Sequence, residues 1–190
     1  MGHRHRLFLE ESLAEVGQEI ERAIAPFAEA TTLLRTISGV EEVAAATIVA
    51  EIGTDTDRFP SAKHLASCAG LCPGNRESAG KRLGSKTTPG DTWLKAVLGE
   101  VAWAIARRKR DNYLTAQYHR LARKRGKHKA AVAVMHSVLV IAYHILKEKR
   151  PYADLGADYF DTLDRTRLER YYVNRLSSLG YDVTLEPRVA

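Results

Sequence analysis

Apolar residues near the start of the chain recur with alternating spacings of four and three residues. The repeat consists of Leu9, Leu13, Val16, Ile20, Ala23, Phe27, Ala30 and Leu34. This spacing, held over about three heptads, predicts a helix with the apolar seam of a coiled coil. Pro26 should kink or break that helix, because proline lacks an amide proton and clashes with the preceding turn. We therefore predict a coiled-coil-like helix over residues 1–34, which either dimerises or packs on its own domain.

Three later segments carry apolar residues at helical spacing. They contain Leu94, Val97, Leu98, Val101, Ala102 and Ile105, then Leu114, Tyr118 and Leu121, then Val132, Met135, Leu139, Ala142 and Leu146. Asp91 precedes the first segment and suits the N-cap position of a helix. The pattern predicts a mainly α fold, in which these helices build a small bundle within a domain of residues 35–150.

The segment Leu34–Ala44 leads into an apolar run that should form a helix to about Ile52. It indicates a helix-hairpin-helix-like element, whose turn and second helix offer backbone N–H groups to a DNA phosphate. Glu41 stands where such elements usually have a second glycine, and its carboxylate would repel a phosphate. Ser38 and Glu41 alternatively form a capping box, which explains the same residues by local stability. Gly53 should end the helix.

Regular spacing disappears between Gly70 and Gly90, where glycine, serine and basic residues dominate. We predict a long loop here, either ordered or mobile. Loops of this length inside a compact domain are uncommon and often functional.

Residues 151–190 form an acidic and aromatic tail that contains Tyr152, Tyr159 and Phe160. The tail should include a charged helix near residues 161–179 and a short strand-like end at residues 181–185. We expect it to dock on the domain or on a neighbouring domain.

The net charge of +6 is concentrated in one part of the chain, because residues 104–150 hold thirteen Lys and Arg against Asp111 and Glu148. Such a block is typical of proteins that bind a polyanion, although a solvated helix face has the same composition. The predicted nucleic-acid-binding residues are Arg76, Lys81, Arg82, Lys86, Lys95, Arg107, Arg108, Lys109, Arg110, Arg123, Lys124 and Arg125.

Other features bear on location and metals. The longest apolar stretch is interrupted by His136, Ser137 and His144, so we expect no membrane span. The two cysteines, Cys68 and Cys72, are too few for a disulfide framework and fit a reduced cytoplasm. We expect a cytoplasmic protein that is associated with the nucleoid. The same cysteines stand with His64 at a spacing that metal ligands use, but a fourth ligand is not evident, and we predict packing roles.

Ser78 is the candidate nucleophile, since it lies in the loop among Arg76, Lys81, Arg82 and Lys86. A serine hydroxyl attacks only after losing its proton, and the pentavalent phosphorus that it creates needs nearby cations. A serine in such a loop is more commonly a turn residue. Trp93, Trp103 and Tyr118 suit base stacking, but their helical spacing favours core packing.

Four runs, Glu77–Arg82, Gly90–Lys95, Tyr113–Arg125 and Leu179–Leu185, resemble the C-terminal half of one transposase family. It is the insertion-sequence one-ten/one-sixteen family of bridge-RNA-guided DEDD transposases. The resemblance extends over essentially residues 5–190.

The resemblance implies that Ser78 attacks DNA and forms a covalent phosphoserine link. It also implies a structured guide RNA, and assemblies in which the serine of one protomer works with the acidic cluster of another. That cluster, four acidic residues that bind magnesium, belongs to an N-terminal RuvC-like domain in the family, and we do not expect such a domain within these 190 residues. Lys95 also departs from the family, in which arginine is usual at that position, and lysine cannot reproduce a bidentate contact to phosphate.

We therefore expect no magnesium site and no other cofactor in this chain, and no activity without the acidic domain. The alternative is a non-catalytic DNA- or RNA-binding or dimerisation fragment of a truncated transposase. A third possibility is a structural helical protein with an incidental basic face.

Overall fold

A computed structural model describes residues 2–74, 76–84, 86–163 and 165–186, without the side chains of Gly2, Arg76, Arg82 and Leu83. The described chain is mainly helical, as the apolar spacing predicts. Its α-helices are α1 (Gly2–Ile24), α2 (Ala28–Leu34), α3 (Glu42–Ile52), α4 (Ala62–Cys68), α5 (Thr92–Arg107), α6 (Tyr113–Arg125), α7 (Lys127–Glu148), α8 (Tyr159–Leu163) and α9 (Arg165–Ser177). Two strands, β1 (Arg76–Ser78) and β2 (Lys81–Gly84), form an antiparallel hairpin.

Helix α7 lies at the centre of the core and packs against α4, α5 and α6. Its side chains Val134, Val138 and Leu139 are almost completely buried, as are Leu94 and Leu98 of α5. Each such burial stabilises the fold by roughly 1.5–3 kcal/mol. By length and composition α7 is able to cross a membrane, but 56% of its most apolar window is buried inside the protein. It therefore occupies the place of a core helix, packed against α5 and α6.

The N-terminal helix breaks at the predicted position. A 3₁₀ turn, Ala25–Phe27, separates α1 from α2 and contains Pro26. The seam residues of α1 do not pack against the domain, since Leu13 is 72% exposed and Val16 54% exposed. The alternative that this seam packs on its own domain is wrong for α1. Helix α2 joins the core through Ala30 and Leu34, and Ile24 at the end of α1 packs against it.

The turn before α3 is held by tertiary contacts instead of a capping box. Glu41 occupies the N-cap position, and its side chain makes no capping hydrogen bond. Ser38 Oγ instead accepts hydrogen bonds from Arg108 Nη1 at 3.0 Å and from Asn112 Nδ2 at 3.1 Å. The capping-box interpretation is therefore wrong, because Ser38 links the α2–α3 turn to the α5–α6 joint. Gly53 ends α3 with a φ of 72°, as predicted.

The segment predicted as an irregular loop contains the hairpin. Glu77 pairs with Arg82 and Ser78 with Lys81, while Pro73 and Thr87 form a further bridge below them. The two-residue turn between the strands has positive φ at both positions, 49° at Ala79 and 74° at Gly80. Such a turn matches the twist of a hairpin. Turn conformation rather than apolar alternation thus sets the register, which is why the sequence pattern missed it.

The first part of the tail docks on the domain, as expected. The Tyr113 ring contacts Tyr159 and Phe160, with ring centroids 5.3 Å and 5.1 Å apart. Arg110 Nη2 lies 2.9 Å from Asp161 Oδ2. Helix α9 beyond it has no fully buried residue. The strand-like end was a wrong prediction, since residues 181–186 adopt no regular secondary structure.

Candidate nucleic-acid interface

Ser78 and Lys81 lie opposite each other at the tip of the hairpin, immediately beside its turn. Directly paired residues of antiparallel strands project from the same face, so the side chains of Ser78 and Lys81 share one face of the hairpin. Both residues are exposed, and Ser78 Oγ makes no hydrogen bond to another described residue. Ala79 next to Ser78 has a left-handed backbone, a conformation that costs a non-glycine residue roughly 1–2 kcal/mol. Among the described residues, the tip therefore presents an exposed hydroxyl without a hydrogen-bond partner, on the same face as the Lys81 side chain.

Lys95 anchors the base of the hairpin. Its Nζ donates hydrogen bonds to Gly70 O at 3.0 Å, to Thr87 Oγ1 at 3.2 Å and to Thr88 O at 3.4 Å. An ammonium group has three N–H donors, so protein acceptors use all of them. Lys95 thus joins α5 to both ends of the hairpin segment, residues 70–90. Its ammonium binds acceptors within the protein, whereas the sequence predicted a contact with a phosphate.

Two glycines let the ends of the hairpin segment touch. Gly70 has a φ of 66°, and a Cβ placed there would lie 2.6 Å from Thr88 O. A Cβ on Gly90 would overlap the backbone of Ala69 and Gly70. Only glycine at both positions allows this approach, which fixes the hairpin to the start of α5.

The basic cluster at the end of α5 is partly engaged within the protein. Arg108 bonds to Ser38, and Arg110 bonds to Asp161 and to Ala157 O. Arg107 and Lys109 are exposed and have no ion-pair partner among the described residues. Two of the four predicted contacts in this cluster therefore have protein partners, and two point to solvent.

A second cluster surrounds the joint between α6 and α7. Arg123, Lys124 and Arg125 are exposed in the last turn of α6, where cations are favoured by the helix dipole. Lys127 and Lys129 are exposed in the first turn of α7, where the same dipole disfavours cations.

The predicted binding residues omitted Lys127 and Lys129. Their position just after Gly126 could have indicated them in the sequence, because a helix that starts there has no capping side chain. A depression of about 450 Å³ lies beside this joint. Its lining includes Arg110, His119, Arg123 and Lys127.

The remaining predicted contacts belong to the hairpin segment. Lys86 is exposed and lies just beyond β2. The side chains of Arg76 and Arg82 lie outside the described residues. The hairpin segment thus adds Lys81 and Lys86 to the cations of the two helix joints, which are the α5–α6 joint and the α6–α7 joint.

The aromatic residues divide between core and surface. Tyr118 is 5% exposed and packs in the core as predicted, whereas Trp93 is 73% exposed. Trp103 is 37% exposed and meets the His128 ring edge-on, with centroids 5.7 Å apart. Core packing was therefore the wrong interpretation for Trp93, which stands at the start of α5 near the base of the hairpin.

The described part of the chain brings together no group of three or more His, Cys, Asp or Glu residues able to hold a metal ion. His64 Nδ1 lies 2.9 Å from Ser61 Oγ. Cys68 is exposed and Cys72 partly buried. Core packing does not account for His64 and Cys68, since both are exposed.

Residues 31–119 match the model of the transposase IS116/IS110/IS902 family. The matched segment includes α3, α4, the hairpin and α5. A protein of Sinorhizobium fredii named "Putative transposase y4qE" is 36% identical over 92 residues. The alignment covers 44% of this chain and 23% of that protein, so the chain spans under a quarter of the relative's length. The resemblance to this transposase family is thereby supported over the part that carries Ser78.

Proposed function

We propose that this chain is the DNA-binding serine domain of a transposase, and that Ser78 is its nucleophile. The observation that carries the proposal is the exposed Ser78 hydroxyl, paired with Lys81 at the tip of a hairpin. The hairpin lies inside the segment that is similar to transposases. Lys95 joins the base of the hairpin to α5 through hydrogen bonds to Gly70 O and Thr87 Oγ1.

The reaction is a transesterification at a DNA phosphodiester. Ser78 Oγ forms a bond to phosphorus while one P–O bond to the neighbouring nucleotide breaks. The serine proton goes to a base and the departing oxygen gains a proton, so the number of phosphoester bonds is unchanged. The Lys81 ammonium stabilises negative charge on the phosphoryl oxygens, because its side chain shares a face of the hairpin with Ser78.

Magnesium would be held by four acidic residues of a RuvC-like domain. The described residues of this chain offer no comparable group. When bound, the metal would stabilise charge on the phosphate, while this chain supplies the hydroxyl and the surface that holds DNA.

DNA and a structured guide RNA are the proposed partners, bound by the exposed cations of the hairpin and of the two helix joints. The proposed phosphate contacts are Arg107, Lys109, Arg123, Lys124 and Arg125, and their exposure leaves all five accessible to a nucleic acid. Neutralising each phosphate releases counterions, so affinity should fall steeply with salt.

Helix α1 is the proposed contact between copies of the chain. Its exposed seam at Leu9, Leu13, Val16 and Ile20 is available to a second copy. Replacing Leu13 and Val16 with glutamate should convert an oligomer to a monomer in light scattering. An unchanged mass would rule out this helix as the contact.

The second candidate function is a non-catalytic DNA- or RNA-binding fragment. The exposed cations of the α5–α6 and α6–α7 joints favour binding of a nucleic acid. Such binding needs no nucleophile. The two functions differ only in covalent chemistry.

The deciding experiment mixes this chain with the RuvC-like domain of a full-length relative, magnesium, guide RNA and end-labelled DNA. A denaturing gel should show labelled DNA attached to protein. Ser78→Ala should abolish the adduct, while Ser67→Ala, at another exposed serine, should leave it unchanged. DNA binding without any adduct would favour the non-catalytic function.

A further inference from the structure

A cleft of about 720 Å³ lies between the base of the hairpin, α6 and the first half of α7. Leu71, Val132 and Ala133 supply apolar lining. Lys86 and Lys129 enter the lining from the hairpin segment and from α7. The cleft thus combines an apolar surface with cations from two separate elements.

The polar end of the cleft is formed by Gln117 and Ser137. Gln117 Nε2 donates a hydrogen bond to Ser137 Oγ at 2.8 Å. Gln117 Oε1 is buried and has no hydrogen-bond partner among the described residues. Buried polar atoms are nearly always paired, so this oxygen is an unused acceptor at the wall of the cleft.

The charges of the lining favour an anionic ligand. The described lining residues include Lys86, Lys129 and two histidines, His128 and His136, but no Asp or Glu. Ligand sites of this size are typically apolar with a few placed polar groups. A nucleotide has the matching chemistry, with flat apolar faces, polar base edges and an anionic phosphate.

The position of the cleft connects the two parts of the proposed DNA surface. On the α7 side, the cleft begins at the basic α6–α7 joint. On the hairpin side, it includes Pro73 and Thr87, which form a β-bridge between the two arms of the hairpin. Ser78 follows Pro73 on the same arm of the hairpin, five residues further along the chain. The cleft therefore borders both the base of the hairpin that carries Ser78 and the basic start of α7.

We propose that this cleft receives one unpaired nucleotide of the DNA strand on which Ser78 acts. The base lies against Val132 and Ala133, and the phosphate lies between Lys86 and Lys129. An amino group on the base edge donates to Gln117 Oε1 after the side chain rotates to expose this oxygen and releases its hydrogen bond to Ser137. This inference rests on the proposed function, because it assumes that DNA follows the same basic surface.

The test compares the affinity of the full chain for a duplex with one extrahelical adenine and for the fully paired duplex. We expect the wild-type chain to prefer the bulged duplex by about tenfold, which corresponds to about 1.4 kcal/mol. Val132→Phe should fill the cleft and bring the ratio close to one, with little change in duplex affinity. If Val132→Phe weakens binding of a single-stranded RNA but leaves the ratio between the bulged and paired DNA duplexes unchanged, the cleft receives RNA and the choice of DNA is overturned.

Two controls separate the cleft from general charge and from folding. Lys124→Ala removes an exposed cation outside the lining, so it should weaken both duplexes equally and leave the ratio unchanged. If Val132→Phe does not fold, Lys86→Ala tests the same cleft from an exposed position and should lower the ratio. Equal wild-type affinity for both duplexes would overturn the inference while leaving Ser78 chemistry intact. Failure to bind either duplex would overturn both proposals.

Discussion

A charge reversal at Lys127 should change the stability of the fold and the affinity for DNA in opposite directions. It is exposed in the first turn of α7, and Gly126 before it makes no side-chain cap. Arg110 and Arg123 line the same depression as Lys127. Both the helix dipole and these like charges disfavour a cation at this position. We therefore expect Lys127→Glu to stabilise the fold and to weaken DNA binding.

The size of the effect follows from the dipole. One charge at a helix end contributes about 0.3–1 kcal/mol, so reversing it changes the free energy of unfolding by about 0.6–2 kcal/mol. For a chain of this size, each kcal/mol raises Tm by about 2–4 °C. If Lys127 neutralises one phosphate, the slope of log affinity against log salt should fall in magnitude by about 0.9.

The assay combines thermal unfolding with DNA titrations over a salt series. Lys63→Glu is the matched control, because Lys63 is exposed in the first turn of α4 and the substitution changes the net charge equally. It should leave the DNA salt slope unchanged. The reasoning is refuted if Lys127→Glu lowers Tm, or if both substitutions weaken DNA binding to the same extent.

Three further predictions concern the hairpin and its surroundings. Lys95→Met should free both ends of the hairpin segment by removing three hydrogen bonds. In hydrogen exchange, the amides of residues 76–84 should then exchange faster, while the rest of the chain keeps its protection. Unchanged exchange rates would contradict the anchoring role of Lys95. Gly90→Ala should lower the free energy of unfolding by about 1–3 kcal/mol through overlap with Gly70, measured in urea, whereas Gly84→Ala, where the added methyl meets open space, should have little effect. The pKa of Glu51 is raised by a side-chain hydrogen bond with Asp91, then by partial desolvation and by the charge of Asp91. The fold therefore favours the protonated carboxyl, and this stabilisation is lost as pH rises through the raised pKa, so Glu51→Gln should raise Tm at pH 7 but not at pH 3; an equal change at both pH values would contradict it.

Helices were predictable because their signals are local. The apolar spacing in α5 and α7, the break at Pro26 and the cap at Asp91 each depend on residues within a few positions of one another. The Asp91 carboxylate accepts a hydrogen bond from Leu94 N, as its position before the helix predicts.

The missed features depend on distant residues or on backbone conformation. Ser38 bonds to side chains seventy or more positions away, which no local pattern reveals. The hairpin depends on a positive φ at Ala79. Alanine rarely adopts this conformation, so the sequence does not indicate it. Lys95 looked like a free cation, because its three acceptors come from a loop that folds back onto α5.

The central claim is that the Ser78 hydroxyl bonds to DNA phosphorus. Its most direct measurement is peptide mass spectrometry after digestion of the protein and DNA recovered from the complemented reaction. The peptide that contains Ser78 should carry a nucleotide through its hydroxyl oxygen, and Lys81→Ala should reduce the modified fraction. A nucleotide found on another residue, or equal modification in the Ser78→Ala variant, would contradict the claim.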